Sequence, residues 1–217
     1  MIAALSGYAL SSQVNSVEDL AQSYGSWSGI RTNHVVSASG SFFDKAGSSR
    51  GLSTKEDLAL LLALRRQADL VIVDAATARN EQYRKLSSAH LAIVSASGNF
   101  QSIPAVISTS EVTLFSPSAP TMEGDFEIEH VTIDPAEPFV ALLEWAEKMK
   151  FRSLLLEAGP TLTGVCFATA DVAQSAITVT PRLPKDQLDR PLNPFSHEGS
   201  LVSLAESEDA TFALWSY

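Results

Sequence analysis

The chain has 217 residues, which is enough for one sizeable hydrophobic core and too few for two full enzyme domains. Hydrophobic residues make up 45% and charged residues 18%, a mixture typical of a folded domain. Lysine and arginine number 15 against 25 aspartates and glutamates, and the formal charge of −10 disfavours non-specific binding to nucleic acid. Cys166 is the only cysteine, so an intrachain disulfide and a cysteine-built metal site are excluded.

No apolar run reaches the roughly 18–20 residues that a membrane span needs. The first dozen residues lack the basic start of a secretion signal. The four histidines, at positions 34, 90, 130 and 197, are scattered without the spacing of metal ligands. We therefore expect one soluble, cytoplasmic domain over residues 1–217, with no metal, membrane or nucleic-acid partner. Residues 1–30 show little periodicity and indicate an N-terminal extension on the domain surface, in which 17–24 favour a helix.

The next hundred residues predict strands that alternate with helices. A strand over 34–39 leads into a Gly- and Ser-rich loop over 40–51. The segment 53–56 reads Ser-Thr-Lys-Glu, a capping box with Ser53 at the cap, and opens a leucine-rich helix that is buried on more than one side. Further strands are predicted from apolar runs at 70–73, 91–95, 104–109 and 111–115.

The second half predicts a solvated loop over 116–127 and a strand over 128–133. Asp134 then caps a helix with Pro135 at its first position. The remaining elements are a buried strand at 152–157, a short helix at 161–165, a strand from 177 and a hairpin formed by 201–206 and 211–217. The sequence thus predicts a three-layer α/β domain with a mixed, mostly parallel sheet and a C-terminal antiparallel hairpin.

Three strand ends are candidates for a ligand site, because ligands in open α/β sheets gather at the carboxyl ends of strands. The turn at 157–161 offers a helix start to a phosphate, although Gly159 alone also suits a tight turn. The segment 74–79 suits a nucleotide phosphate or a solvated helix face, and Arg79, Arg84 and Lys85 form the densest positive patch. Hydroxyls at 37–40 suit a polar ligand or a simple turn.

Five segments occur in the order of a known family: 33–40, 51–53, 68–83, 91–98 and 157–164. On these segments the chain resembles the pyrimidine reductase family of riboflavin biosynthesis, the reductase half of the bifunctional deaminase/reductase, and most of all its stand-alone actinobacterial branch. The resemblance implies a dihydrofolate-reductase-like fold, a homodimer, NADPH as cofactor and a small-molecule substrate. The implied reaction is hydride transfer to C1′ of the ribose of 5-amino-6-(5-phosphoribosylamino)uracil.

The resemblance also implies which residues bind the two ligands, whereas it assigns no catalytic side chain because the cofactor carries the chemistry. The implied substrate contacts are Asn33, Ser37 and Ser39. The implied cofactor contacts are Asp74, Thr77, Arg79, Ser95, Glu157, Ala158, Gly159, Pro160, Thr161 and Leu162.

Several of these positions depart from the family pattern. Ser39 stands where the family has aspartate, while Asp74, Ala76 and Ala158 stand where it has glycine. Two alternatives therefore stay open beside the main interpretation: a catalytically impaired paralogue that binds a nucleotide or a protein, and a reductase for another pterin-like substrate.

Overall fold

A single ten-stranded sheet organises the parts of the chain that the computed structural model describes, which are residues 3–4, 15–45, 47–107, 111–124, 128–181 and 198–217. The helices are α1 (Val17–Ser23), α2 (Lys55–Gln67), α3 (Ala75–Asn80), α4 (Pro138–Lys148) and α5 (Pro160–Thr169). The strands are β1 (Ala3–Ala4), β2 (Gly29–Ser37), β3 (Leu70–Asp74), β4 (His90–Val94), β5 (Val112–Ser116), β6 (Glu129–Thr132), β7 (Ser153–Leu156), β8 (Val172–Thr180), β9 (Ser200–Glu206) and β10 (Thr211–Ser216).

The sheet has the order β1-β9-β10-β8-β2-β7-β3-β4-β5-β6. All pairs from β8 to β6 are parallel, whereas β10 pairs antiparallel with both β8 and β9. The predicted mixed sheet with a C-terminal antiparallel hairpin is confirmed. Because β7 lies between β2 and β3, the turns that follow these three strands meet at one edge of the sheet.

Two apolar layers cover the sheet, one on each face. In β3, Val71 and Val73 pack with α1 and α2, while Leu70 and Ile72 pack with α4 and α5. All four side chains are fully buried, as expected for a central strand whose side chains alternate between two covered faces. The predicted three-layer arrangement is therefore confirmed.

The chain before β2 contributes to one of these layers. Leu20, Tyr24 and Trp27 are buried in the same cluster as α2. Arg31, itself fully buried in β2, donates to the carbonyl oxygens of Tyr24 and Gly25, and its guanidinium lies 3.9 Å from the centre of the Trp27 ring. Residues 15–30 are thus fixed against the sheet.

Several local predictions are wrong in detail. The strand predicted over 34–39 runs from Gly29 to Ser37, and the strand predicted from 177 begins at Val172. Residues 104–107 form a 3₁₀ helix rather than a strand, in which Ala105 and Val106 reach the core without joining a ladder while Ile107 is exposed; 108 and 109 lie outside the described residues. The helix predicted to begin at Pro135 begins at Pro138, because the Asp134 carboxylate accepts from the Ala136 N–H and stabilises a separate turn. The cap of α2 is Thr54 instead of Ser53, since the Thr54 hydroxyl accepts from the Asp57 N–H at 3.1 Å.

None of the helices in the described ranges is long and apolar enough to cross a membrane. Within the same ranges, no group of three or more His, Cys, Asp or Glu side chains is placed to hold a metal ion.

Candidate functional site

A groove of about 690 Å³ lies across the carboxyl ends of β3, β4 and β7. One wall is the start of α3, a second is the start of α5, and a third is the loop after β4. Ile133, Pro135 and Pro138, which precede and open α4, close the remaining side. Groove lining is therefore mainly small or apolar, with hydroxyls at Ser95, Thr77 and Thr161, a composition that suits a flat ring system with a few fixed polar contacts.

Eight of the ten predicted cofactor contacts line this groove: Asp74, Thr77, Arg79, Ser95, Gly159, Pro160, Thr161 and Leu162. The other two, Glu157 and Ala158, line a smaller cavity next to it. The structure thus brings together residues that are up to 88 positions apart in the sequence, from Asp74 to Leu162.

The smaller cavity, here called the inner cavity, has a volume of about 100 Å³. It lies between β2, the start of α2 and the turn after β7, and Phe42 and Tyr83 supply aromatic walls. Phe43, Thr77 and Gly159 line both the groove and the inner cavity. The two spaces are therefore neighbours that share a wall.

Of the three predicted substrate contacts, Asn33 lines the inner cavity, whereas Ser37 and Ser39 line neither space. The Ser37 hydroxyl accepts from the Ser41 N–H at 3.0 Å and lies 2.9 Å from the Ser39 hydroxyl. Gly40 follows with φ of +81°, a left-handed conformation that glycine adopts without strain. These hydroxyls therefore hold the turn that carries Phe42 and Phe43 over the site.

Glu157 is held in a buried ion pair. The Arg65 guanidinium donates to Oε1 at 2.9 Å and to Oε2 at 2.5 Å, and the Tyr83 hydroxyl donates to Oε2 at 2.6 Å. Burial disfavours the charge of Arg65, but the Glu157 carboxylate outweighs it and raises the arginine pKa. Burial and the Glu157 charge both raise the pKa of Tyr83 well above 10. Glu157 thus shapes the cavity wall as a neutralised partner of Arg65.

Asp57 is a site residue that the sequence analysis missed. It lies in the first turn of α2, is 5% exposed and lines the inner cavity. The Ser53 hydroxyl donates to its Oδ2 at 2.6 Å, and burial raises the pKa of the carboxyl above its usual range. A sequence signal exists, because positions 57, 60 and 64 fall on one face of α2 and the other two are buried leucines. A carboxyl group on the same face as buried leucines is unusual, and its position beside the inner cavity accounts for it.

His34 fixes the turn after β7 to β2. Its Nε2 lies 3.0 Å from the Ala158 carbonyl oxygen and 3.0 Å from the Thr163 hydroxyl. Burial lowers the pKa of His34 to about 4, so the ring is neutral at physiological pH. A neutral ring donates to the Ala158 carbonyl through Nε2, which positions the turn and the start of α5.

A third space, here called the basic pocket, lies on the outer side of α2 and has a volume of about 740 Å³. Its charged lining consists of Arg50, Lys55, Arg65, Arg84, Lys85 and Glu81. Ser49, Ser53 and Tyr83 line both this pocket and the inner cavity, so these spaces also adjoin. The predicted positive patch is divided, because Arg79 faces the groove while Arg84 and Lys85 face the basic pocket. Cations thus outnumber carboxylates in this lining, although the formal charge of the chain is −10.

The sheet order, the C-terminal hairpin and a groove at the strand ends define a dihydrofolate-reductase-like protein. The structure is similar to a pyrimidine reductase-like protein of Corynebacterium diphtheriae, with a TM-score of 0.72 and 16% identity over 93% of this chain and 98% of that one. It is also similar to the deaminase/5-amino-6-(5-phosphoribosylamino)uracil reductase of Thermotoga maritima, with a TM-score of 0.71 and 15% identity over 88% of this chain and 56% of that one.

A dihydrofolate reductase of Enterococcus faecalis complexed with NADP(H) is a more distant neighbour, with a TM-score of 0.52 and 10% identity over 86% of this chain and 95% of that one. No family model and no curated protein matches the sequence. The predicted dihydrofolate-reductase-like fold is confirmed, and its structural neighbours include a riboflavin biosynthesis reductase of Saccharomyces cerevisiae, with a TM-score of 0.66 and 11% identity over 94% of this chain and 92% of that one. This chain spans about half the length of the bifunctional Thermotoga enzyme.

Proposed function

We propose that the chain is a pyrimidine reductase that uses NADPH to reduce 5-amino-6-(5-phosphoribosylamino)uracil at C1′ of the ribose. The observation that carries this proposal is that three spaces adjoin in turn: the groove, the inner cavity and the basic pocket. A dinucleotide, a heterocycle and a phosphate need adjoining spaces of this kind if a hydride is to pass between two bound molecules.

The groove supports the cofactor assignment through its size and lining. Its volume of about 690 Å³ is of the order that protein sites use for ligands of this kind. Val94, Pro138 and Leu162 offer apolar contacts to flat rings, while the hydroxyls of Ser95 and Thr161 offer hydrogen bonds. NADPH, when bound, would supply the hydride, and the role of the chain is to hold the two ligands together and exclude water.

The inner cavity supports the heterocycle assignment. Asp57 presents a buried carboxyl group to it, and Asn33 presents a side-chain amide. Together these groups accept hydrogen bonds from ring N–H groups and donate to ring carbonyls, the functional groups of an aminouracil. Phe42 and Phe43 shield this space on the loop side, which favours the exclusion of water from the reacting atoms.

The basic pocket supports a phosphorylated substrate. Lys55 and Arg84 line it, and within the described residues neither is recorded in an ion pair, unlike Arg50 and Lys85, which pair with Glu81 and Glu111. Glu81 also lines this pocket but is paired with Arg50, so Lys55 and Arg84 are left to attract a phosphate. Because the attraction weakens with distance, it favours a substrate in the adjoining inner cavity over one in the groove. We also propose, on the family resemblance, that the protein acts in the cytoplasm as a homodimer.

Titration with NADPH, followed by nucleotide fluorescence at moderate salt, tests the proposal. We expect saturable binding in the submillimolar range and, with the pyrimidine substrate added, oxidation of NADPH. Absence of binding at millimolar NADPH would refute the proposal. Binding without turnover on this substrate would favour the impaired paralogue or a reductase of another pterin-like compound, and trials of such compounds would separate these two.

A further inference from the structure

The carboxylate of Asp74 lies between the starts of two helices. Asp74 is the N-cap of α3, and its Oδ1 accepts from the Thr77 N–H at 2.8 Å. Its Oδ2 accepts from the Thr77 hydroxyl at 2.8 Å and from the Gly159 N–H at 2.6 Å. Gly159 is the N-cap of α5, so one carboxylate takes hydrogen-bond donors from both helix starts.

One of these donors, the Gly159 N–H at the start of α5, would otherwise be available to an anionic ligand in the groove. Backbone N–H groups at a helix start, with the positive end of the helix dipole, stabilise negative charge. Asp74, Thr77 and Gly159 all line the groove, so the carboxylate stands in the ligand space itself. The chain therefore supplies its own anion at the start of α5.

There is no room for a phosphate between Asp74 and the turn. A Cβ built on Gly159 would lie 3.4 Å from Asp74 Oδ2 and 3.4 Å from the Thr77 hydroxyl oxygen, so the carboxylate is in contact with the Gly159 backbone. A diphosphate that is to reach the Gly159 N–H must first displace this carboxylate.

The groove offers little compensation for a second negative charge. Among the described residues that line it, Arg79 is the only cation. Its Nε and a terminal nitrogen donate to the carbonyl oxygens of Gln101 and Asn99, and among the described residues it forms no ion pair with Asp74. A diphosphate in the groove would thus face a carboxylate without a nearby counter-charge.

We propose that Asp74 is a specificity-determining residue that competes with the diphosphate of a dinucleotide for the Gly159 N–H. This inference rests on the proposed function, in which the groove holds NADPH. Asp74 lowers the affinity for any ligand that places a diphosphate at the start of α5, and leaves the affinity for an uncharged dihydronicotinamide riboside unaffected. The groove consequently favours ligands with little negative charge at this point.

The test compares wild type with Asp74→Ser and Asp74→Asn. Serine keeps a hydroxyl to cap α3 but is too short to reach Gly159, and asparagine keeps the shape while removing the charge. Asp134→Ser is the matched control, because Asp134 also accepts a backbone N–H at a turn, carries the same charge and does not line the groove. Thermal unfolding of each variant shows that it is folded.

The ligands are NADPH, reduced nicotinamide riboside and inorganic pyrophosphate, with binding measured by fluorescence for the first two and by calorimetry for the third. We expect Asp74→Ser to bind NADPH and pyrophosphate about tenfold more tightly than wild type or Asp134→Ser, with riboside binding unchanged and the gain reduced at high salt. Equal NADPH and pyrophosphate binding by Asp74→Ser, Asp74→Asn and wild type, with riboside still bound, overturns this inference alone. If no folded variant binds NADPH or the riboside, the proposed function is overturned. If, in that case, wild type and Asp74→Ser also bind pyrophosphate equally, the role of Asp74 is overturned as well.

Discussion

Replacing Arg65 with methionine tests whether Glu157 belongs to the scaffold or is free to bind a ligand. Methionine keeps much of the side-chain volume of arginine but removes all three hydrogen bonds to the Glu157 carboxylate. That carboxylate is 4% exposed and retains only the Tyr83 hydroxyl. A buried charge without its counter-ion cannot regain the solvation that it lost on folding, so the folded state must bear the cost.

Breaking a buried ion pair by removing one partner costs about 3–5 kcal/mol. For a chain of this size, each kcal/mol lowers Tm by roughly 2–4 °C, so we expect a fall of about 6–20 °C. Urea denaturation followed by tryptophan fluorescence measures the same loss as a free energy of unfolding. The double variant Arg65→Met, Glu157→Gln removes the stranded charge, and we expect it to recover more than half of the loss.

Arg50→Met is the control, because Arg50 pairs with Glu81 at 2.8 Å but its side chain is 63% exposed. Exposed ion pairs contribute about 0–1 kcal/mol, so this variant should unfold close to wild type. If Arg65→Met were as stable as Arg50→Met, or if Glu157→Gln gave no recovery, the account of Glu157 as a neutralised structural carboxylate would be refuted.

Three further predictions concern pH and the substrate phosphate. The pKa of His34 falls from 6.5 to about 4 on folding, so on acidification the unfolded state binds a proton before the folded state does. The free energy of unfolding should therefore drop by about 3 kcal/mol between pH ~6.5 and ~4. Urea titrations at several pH values should show that His34→Gln lacks this drop. Burial raises the pKa of Asp57, so its ionisation costs stability as pH rises. Asp57→Asn should therefore be more stable than wild type at pH 7, equal to it at pH ~3, and impaired in turnover, and a difference that is constant with pH would contradict this account. Lys55→Met and Arg84→Met should each raise KM for the phosphorylated substrate about three- to tenfold without changing NADPH affinity, with the effect shrinking as salt rises; an unchanged KM would place the phosphate elsewhere.

The sequence was sufficient for the central strands and for the location of the groove. Continuous apolar runs such as 70–73 suit a strand that is covered on both faces, and few other structures bury every residue of a short run. The resemblance placed Thr77 and Gly159 near each other because it supplied a topology that joins β3 and β7 side by side. Composition and periodicity do not predict that β3 and β7 are neighbours.

The parts that sequence reasoning missed depend on contacts between distant residues. Arg65 and Glu157 are 92 positions apart, and nothing in either local pattern indicates that they form an ion pair. At residues 104–107 the error has a local cause, because an apolar run indicates burial but does not distinguish a strand from a helix. Asp57 was overlooked because its neighbours strongly predict a helix. An acidic residue in the first turn of a helix is then explained by its favourable interaction with the helix dipole.

Phe43, Gly47, Thr77, Asn80 and Gly159 line both the groove and the inner cavity. Molecules bound in the two spaces rest against the same five residues, so whichever binds first immobilises atoms that the second must also contact. Such mutual ordering makes the two affinities reciprocal, each ligand strengthening the other by the same factor. Steady-state velocities measured over a grid of both concentrations should therefore give intersecting double-reciprocal lines, the pattern of a ternary complex, instead of the parallel lines of a double-displacement enzyme.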